Sequence, residues 1–166
     1  MLPITDAQIR ASFINASVRE RAALSLPADF AELDWDRRDF LGWRDRKLPN
    51  VAYVVAPIGG DLVGVMLKRA EGRPRSRPQC SWCEDVHLPN DVLFFVVRRA
   101  GAAGRKGDTV GTLVCADFQC SANARKRPPV AYLGFDVEAA RDRRVEALRE
   151  HVIGFIREVA GEPLAG

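Results

Sequence analysis

All four cysteines of this chain fall in two close pairs, "CSWC" at Cys80 and Cys83 and "CADFQC" at Cys115 and Cys120. Thiolates paired so tightly are natural ligands for a borderline-soft metal. Zinc takes four of them at tetrahedral corners, each sulfur about 2.3 Å from the ion. A two-residue spacer lets one tight turn aim both sulfurs of the first pair at a point, and a hairpin between the pairs brings a second turn opposite. Four thiolates close the coordination shell to water and substrate, which marks a structural ion rather than a catalytic one. The pattern predicts a structural Zn²⁺ held by Cys80, Cys83, Cys115 and Cys120.

Other readings of these residues stay open. A thioredoxin-like redox pair at Cys80 and Cys83 requires a strand-to-helix junction, whereas "EDVHLPND" and then another strand pattern follow here. Four unrelated buried thiols are a further reading. His87 is an alternative ligand in place of one cysteine; since four cysteines complete the set, it is read as a surface residue or one that supports the ligands. Trp82 and Phe118, one inside each pair, read as apolar cover for the ion. An exposed Phe118 would instead anchor a partner.

The elements that position these residues are written in the spacing of the apolar side chains. Thr5 and Gln8 make a capping box, with Ile4 and Ile9 as its hydrophobic staple, and open a helix carrying Ile9, Phe13 and Ala16. "WDRRDFLGWRD", Trp35 to Asp45, predicts a second short helix with Trp35, Phe40 and Trp43 as core anchors. From Val51 the period changes to two. Val51 to Ala56 and Leu62 to Lys68 read as strands joined at Gly59-Gly60. "EGRPRSRPQC" reads as a linker or extended arm. "DVLFFVVRR" (Asp91 to Arg99) and "TVGTLV" (Thr109 to Val114) predict a hairpin joined by the Gly-rich "AGAAGRKGD", which delivers the chain to Cys115. A last helix opens at Asp136 as N-cap. It lines up Val145, Leu148, Val152, Phe155, Ile156 and Val159 on one face, and Gly161 and Pro163 close it.

These elements predict an α+β fold: a small antiparallel sheet flanked by N-terminal helices and a long C-terminal helix. They divide into residues 1–70, helical segment plus hairpin, and residues 71–166, the cysteine module with the last helix, expected to form one compact unit. At 166 residues, 47% hydrophobic and 28% charged, the chain can bury a real core without staples. No apolar run approaches the ~20 residues of a membrane span. The start, "MLPITDAQIR", lacks the basic and apolar regions of a secretory signal, so no membrane is expected as a partner and the cytoplasm is the expected location. In that reducing compartment paired cysteines lean towards metal or redox chemistry.

The net charge is only +3, but basic residues crowd the cysteine module: Lys68, Arg69, Arg73, Arg75 and Arg77 before it, Arg98, Arg99, Arg105 and Lys106 at its hairpin, and Arg125, Lys126 and Arg127 after it. Such a face suits an acidic protein surface or RNA phosphates; a merely solvated face is the plainer reading. Catalytic templates fail. In "GAAGRKGDT" Lys106 precedes Gly107 rather than following it as a P-loop requires. With only two histidines, nothing assembles a nucleophile, base and orienting group. No enzymatic activity is expected.

With those residues in view, "CSWC…GTLVCADFQCSANAR" resembles the treble-clef zinc finger of bacterial elongation-factor-G-binding proteins, the family that includes the fusidic-acid-resistance proteins of the FusB type. The likeness lies in the spacing of all four cysteines, in Gly111 on the strand entering Cys115, and in Asp117-Phe118 and Cys120-Ser121-x-Asn123. "FLGWRD" and "AYVVAP" are also similar to the stretch before the finger. The resemblance implies a zinc-stabilised module that docks on elongation factor G, the ribosomal translocase. In the resistance proteins docking helps release the factor from drug-stalled ribosomes. It implies the ligand role for Cys80, Cys83, Cys115 and Cys120, and places Phe118, Asn123, Arg125 and Lys126 where a contact surface of the finger would lie. One departure is expected to matter: the resistance proteins carry an N-terminal helical bundle, where only a short helical segment precedes the finger here. Drug rescue is therefore less firmly implied than docking, and a housekeeping role is equally compatible. The alternative from the residues themselves is a finger that binds ribosomal or other structured RNA through its arginine-rich arm and hairpin.

Overall fold

A computed structural model describes residues 1–72, 78–87, 90–129 and 132–161. Five strands, β1 (Leu41–Arg44), β2 (Val51–Ile58), β3 (Asp61–Arg69), β4 (Val92–Arg98) and β5 (Thr109–Cys115), form one antiparallel sheet in sequence order. Alternation along β2 sorts its side chains between two cores: Ala52, Val54, Ala56 and Ile58 face one, Tyr53 and Val55 the other. The first core is sealed by Leu148, Val152, Phe155, Ile156 and Val159 of the long C-terminal helix α5 (Val137–Ala160), and it contains all four cysteines. The second is closed by the N-terminal segment through Ile9, Phe13, Leu24 and Leu33. The expected α+β layout is the observed one.

Local chemistry sets the ends of the helices. Helix α1 (Asp6–Ser12) begins at the Thr5–Gln8 capping box, and α5 begins at Asp136, whose carboxylate accepts from the Ala139 N–H at 2.9 Å. It ends at Gly161 in a left-handed conformation, φ +75°, where the missing Cβ removes the steric cost. Pro163 and residues 73–77 of the predicted arm lie outside the described residues.

Three expectations are corrected. The first helix stops at Ser12, and a second capping box, Ser17 with Glu20, starts α2 (Val18–Ala23). "WDRRDFLGWRD" is not a helix: a 3₁₀ turn covers Trp35–Arg37, and Leu41–Arg44 pair with Ala52–Val55 as strand β1. There the period is two, so Leu41 and Trp43 point together into the N-terminal core while Phe40 reaches the other. The Gly-rich connection between β4 and β5 holds a short helix, α3 (Gly101–Arg105). The boundary drawn between residues 70 and 71 falls just past β3, and the sheet runs across it through Lys68↔Val96 and Arg69↔Phe95.

Those two pairs, with the Ala70 N–H on the Phe94 carbonyl at 2.9 Å just beyond them, join β3 to β4, and the ladder stops on the other side of Lys68. Asn15 fills the gap as a side-chain peptide unit: its Nδ2 donates to the carbonyls of Met66 and Arg98, each at 2.9 Å, and its Oδ1 accepts from the Met66 N–H at 2.8 Å. Asn15→Ala is expected to leave three backbone groups unpaired in the interior and to cost about 2–4 kcal/mol. Urea unfolding of the variant against the wild type reads this loss directly.

Candidate metal centre

Two turns and one helix start deliver the sulfurs. Cys80 to Cys83 form a tight turn in which the Glu84 N–H donates to the Cys80 carbonyl at 3.0 Å, and the Ser81 N–H ties the turn to Leu113 of β5 at 2.8 Å. Cys115 is the last residue of β5. The chain turns again with the Phe118 N–H on the Cys115 carbonyl at 3.0 Å, and Cys120 opens helix α4 (Cys120–Ala124). Each turn contains a non-glycine residue at positive φ, Glu84 at 57° and Phe118 at 54°. A side chain there costs of order 1–3 kcal/mol and persists only where its surroundings fix it.

The four sulfurs lie within 4.8 Å of one another, and all four cysteines are buried. Cys80 and Cys120 sulfurs are 3.7 Å apart, and those of Cys83 and Cys115 are 3.5 Å apart. A tetrahedron with metal–sulfur bonds of about 2.3 Å has edges of about 3.8 Å, so the donor set fits a tetrahedral ion. Protonation points the same way. Hydrogen bonds from neighbouring thiols, that of Cys115 foremost, hold the Cys80 thiol far below its usual range, and contact with Cys115 foremost pushes Cys120 far above it. Four sulfurs in one small space cannot all ionise on their own; a divalent cation at their centre lets them. The four cysteines thus form a cluster that could hold a structural metal ion, and among the described residues Cys80 and Cys83 sit on a turn with no helix following it before β4, not on a strand-to-helix junction.

Apolar and polar walls enclose this cluster. Trp82 packs edge-on against Phe40, ring centroids 5.3 Å apart, and at a tilt against Phe155 at 5.4 Å. Phe118 lies 5.6 Å from Phe95 and is only 4% exposed. Its ring occupies the space above Gly42 of β1, where a Cβ would stand 2.6 Å from the Phe118 Cγ. Glycine there admits the ring, and the ring's burial holds the strained turn. On the polar side, Asn90 and Asn123 turn amide nitrogens toward sulfur. Burial pushes the Asp85 carboxyl up, but bonds from His87 and the charge of Lys126 hold it below the ordinary range. His87 is no ligand: its Nδ1 meets Asp85 Oδ1 at 2.9 Å and its side chain is 77% exposed.

The expected contact residues separate accordingly. Phe118 and Asn123 face inward, so an exposed Phe118 anchor is corrected to a core wedge. Arg125 grips the carboxylate of Asp39 with both guanidinium nitrogens. Lys126, 53% exposed beside Asp85, is the member left facing solvent. Several of the crowded cations are likewise engaged: Arg98 with Glu20 at 3.5 Å and Arg99 with Glu158 at 3.4 Å. A cleft of about 460 Å³ adjoins the first turn, between Trp82, Asp85 and His87 on one side and Pro128, Pro129 and Arg143 on the other. Val86, between Asp85 and His87 of that lining, is exposed, as are Tyr132 and Leu133 in the segment before α5. The sequence held no sign of Gly42 or Asn90 as parts of the site, since each acts through a neighbour distant in the chain. Among the described residues no helix is long and apolar enough to cross a membrane.

A family model described as FBP C-terminal treble-clef zinc-finger matches residues 8–159. Among solved structures the chain is similar to the fusidic acid resistance protein FusC, with a TM-score of 0.47 at 22% identity; the match covers 60% of this chain and 45% of that one. It therefore spans less than half the length of that protein. No curated protein matches.

Proposed function

We propose, for a chain that belongs to the FBP C-terminal treble-clef zinc-finger family, that it is a zinc-stabilised binding protein docking on translation elongation factor G in the cytoplasm, with no catalytic chemistry of its own. The observation that carries this reading is the closed cluster of four buried sulfurs in the context "CADFQCS", where the sequence resembles the elongation-factor-G-binding proteins. All four ligand positions of a tetrahedral ion are taken by protein, so zinc here supplies rigidity; Cys80, Cys83, Cys115 and Cys120 would hold it. The rigid element is then a platform for a partner. Modulation of the factor's release from the ribosome, and with it fusidic acid sensitivity, is the downstream role this docking would serve.

The contact surface we assign is the rim of the cleft beside the first turn. It joins the apolar Pro128 and Pro129 and the exposed Val86, which lies between Asp85 and His87 of the lining, to the cations Arg143 and, beside Asp85, Lys126. Apolar anchors ringed by polar groups are the usual make-up of a protein-binding hot spot. Calorimetry with the cognate factor at moderate salt tests the reading, and metallated protein that does not bind removes it. The double variant Val86→Ala, Arg143→Ala is expected to weaken binding at least tenfold, about 1.4 kcal/mol. Binding to RNA instead of the factor, with a steep fall in affinity as salt rises through counterion release, is the outcome that would replace the reading.

A further inference from the structure

We propose that Asn90 and Asn123 are positioning residues of the metal centre, whose side-chain amides converge on the Cys115 sulfur and orient it as a metal ligand. The inference rests on the metal reading above. Asn90 Nδ2 lies 3.3 Å from Cys115 Sγ, and Asn123 Nδ2 lies 3.5 Å from the same atom and 3.8 Å from Cys83 Sγ. Both residues are buried, at 5% and 2% exposure. Polar side chains are placed in an interior at a cost unless each hydrogen finds an acceptor, and here sulfur is that acceptor.

The orientation of the Asn90 amide is fixed by its other bonds. Asn90 Oδ1 accepts from Gln119 Nε2 at 2.7 Å, so the nitrogen must point the opposite way, and Nδ2 has a second hydrogen for Asp85 Oδ2 at 3.1 Å. Asp85 is in turn held by His87 and Lys126. A chain of polar contacts thus runs from the exposed Lys126 through Asp85 and Asn90 to one ligand atom. Asn123 rides on α4 just beyond Cys120; its backbone carbonyl accepts from Arg144 at 3.0 Å, which fixes the helix turn that carries the amide. Four thiolates around a divalent ion leave two surplus negative charges in a buried space. Each N–H donated to a metal-bound sulfur spreads that surplus charge and fixes where the sulfur points. Partners of this kind, one shell out from the metal, typically change metal affinity ten- to hundredfold.

Loading the full chain with Co²⁺ separates the two levels of the reading. Wild type is expected to show the charge-transfer bands of a tetrahedral tetrathiolate; without them the metal reading fails and this inference fails with it. In Asn90→Ala and Asn123→Ala, loss of an N–H donor raises the energy of the sulfur electrons, so the bands move to longer wavelength. Zinc affinity in chelator competition falls roughly tenfold or more, and peptide mapping after alkylation finds Cys115 labelled faster. His87→Ala, which touches Asp85 and no sulfur, keeps the wild-type spectrum. If Asn123→Ala does not fold, Asn90→Ala at the edge of the site decides alone. Bands and affinity unchanged where wild type shows the tetrathiolate overturn the proposal while leaving the metal centre standing.

Discussion

Stripping the metal with a strong chelator is expected to collapse the cysteine half of the molecule and leave all four thiols open to titration. Apparent binding free energies of structural zinc are about 10–16 kcal/mol near neutral pH, as large as the whole stability of a domain, about 5–15 kcal/mol. Here the ion also holds what the chain resists. Glu84 and Phe118 are kept at positive φ only while their turns are pinned, and without a cation the buried sulfurs compete for protons. The effect does not stop at the turns, because the cysteines, Trp82, Phe118 and the apolar face of α5 share one core. Near-ultraviolet dichroism should lose the contribution of Trp82 packed against Phe40 on chelation, keep that of Trp43 and Tyr53 in the N-terminal core, and recover on adding back zinc. Thiol titration should find none of the four accessible before chelation and all four after it. Wild type that keeps its melting temperature after complete metal removal would show that the sulfurs are merely packed thiols.

What the sequence made legible was whatever is decided within a few residues. A capping box needs Thr5 and Gln8, a hairpin needs Gly59-Gly60 between alternating runs, and the α5 face needs apolar residues at helical spacing. The meeting of the four cysteines also belongs here, since two local spacings and a hairpin suffice to bring the sulfurs together. Strand β1 was hidden because "FLGWR" is short and its period emerges only when Leu41 and Trp43 meet β2. Asn15 was hidden for a stronger reason: its role exists only where β3 and β4 part, far along the chain. The place of Phe118 depended on a missing side chain at Gly42, which no local pattern announces. Basic crowding near the module overstated the free charge, because the carboxylates that answer it, Glu20, Asp39, Asp85 and Glu158, come from other elements.

Asp39→Ala is expected to destabilise the fold by about 3 kcal/mol or somewhat more, the second largest effect, because it orphans a charge rather than removing a contact. The Asp39 side chain is 1% exposed. It receives both guanidinium nitrogens of Arg125 and the Arg149 Nε at 2.8 Å, while its own backbone N–H donates to Ser121 Oγ at 3.0 Å. One residue thereby fastens the approach to β1 onto both α4 and α5, joining the N-terminal layer to the finger. Arg149 is 56% exposed and solvent-screened, so its share is small; Arg125, 21% exposed, carries most of the loss. Burial pushes the Asp39 carboxyl up, but the hydrogen bond and charge of Arg125, then those of Arg149, outweigh it and leave it below the usual carboxylate range. A carboxyl lowered on folding contributes stability that is full above its unfolded value of about 3.9 and lost as pH falls through the lower folded value. The stability gap between wild type and Asp39→Asn should therefore be constant from about pH 5 to 8 and close progressively below pH 4. Both proteins lose metal as thiolates protonate in acid, so the difference between them at each pH, read from urea unfolding, isolates the carboxylate. A gap that stays the same at pH 3 and pH 7 would mean that the shape of Asp39, and not its charge, holds the two layers together.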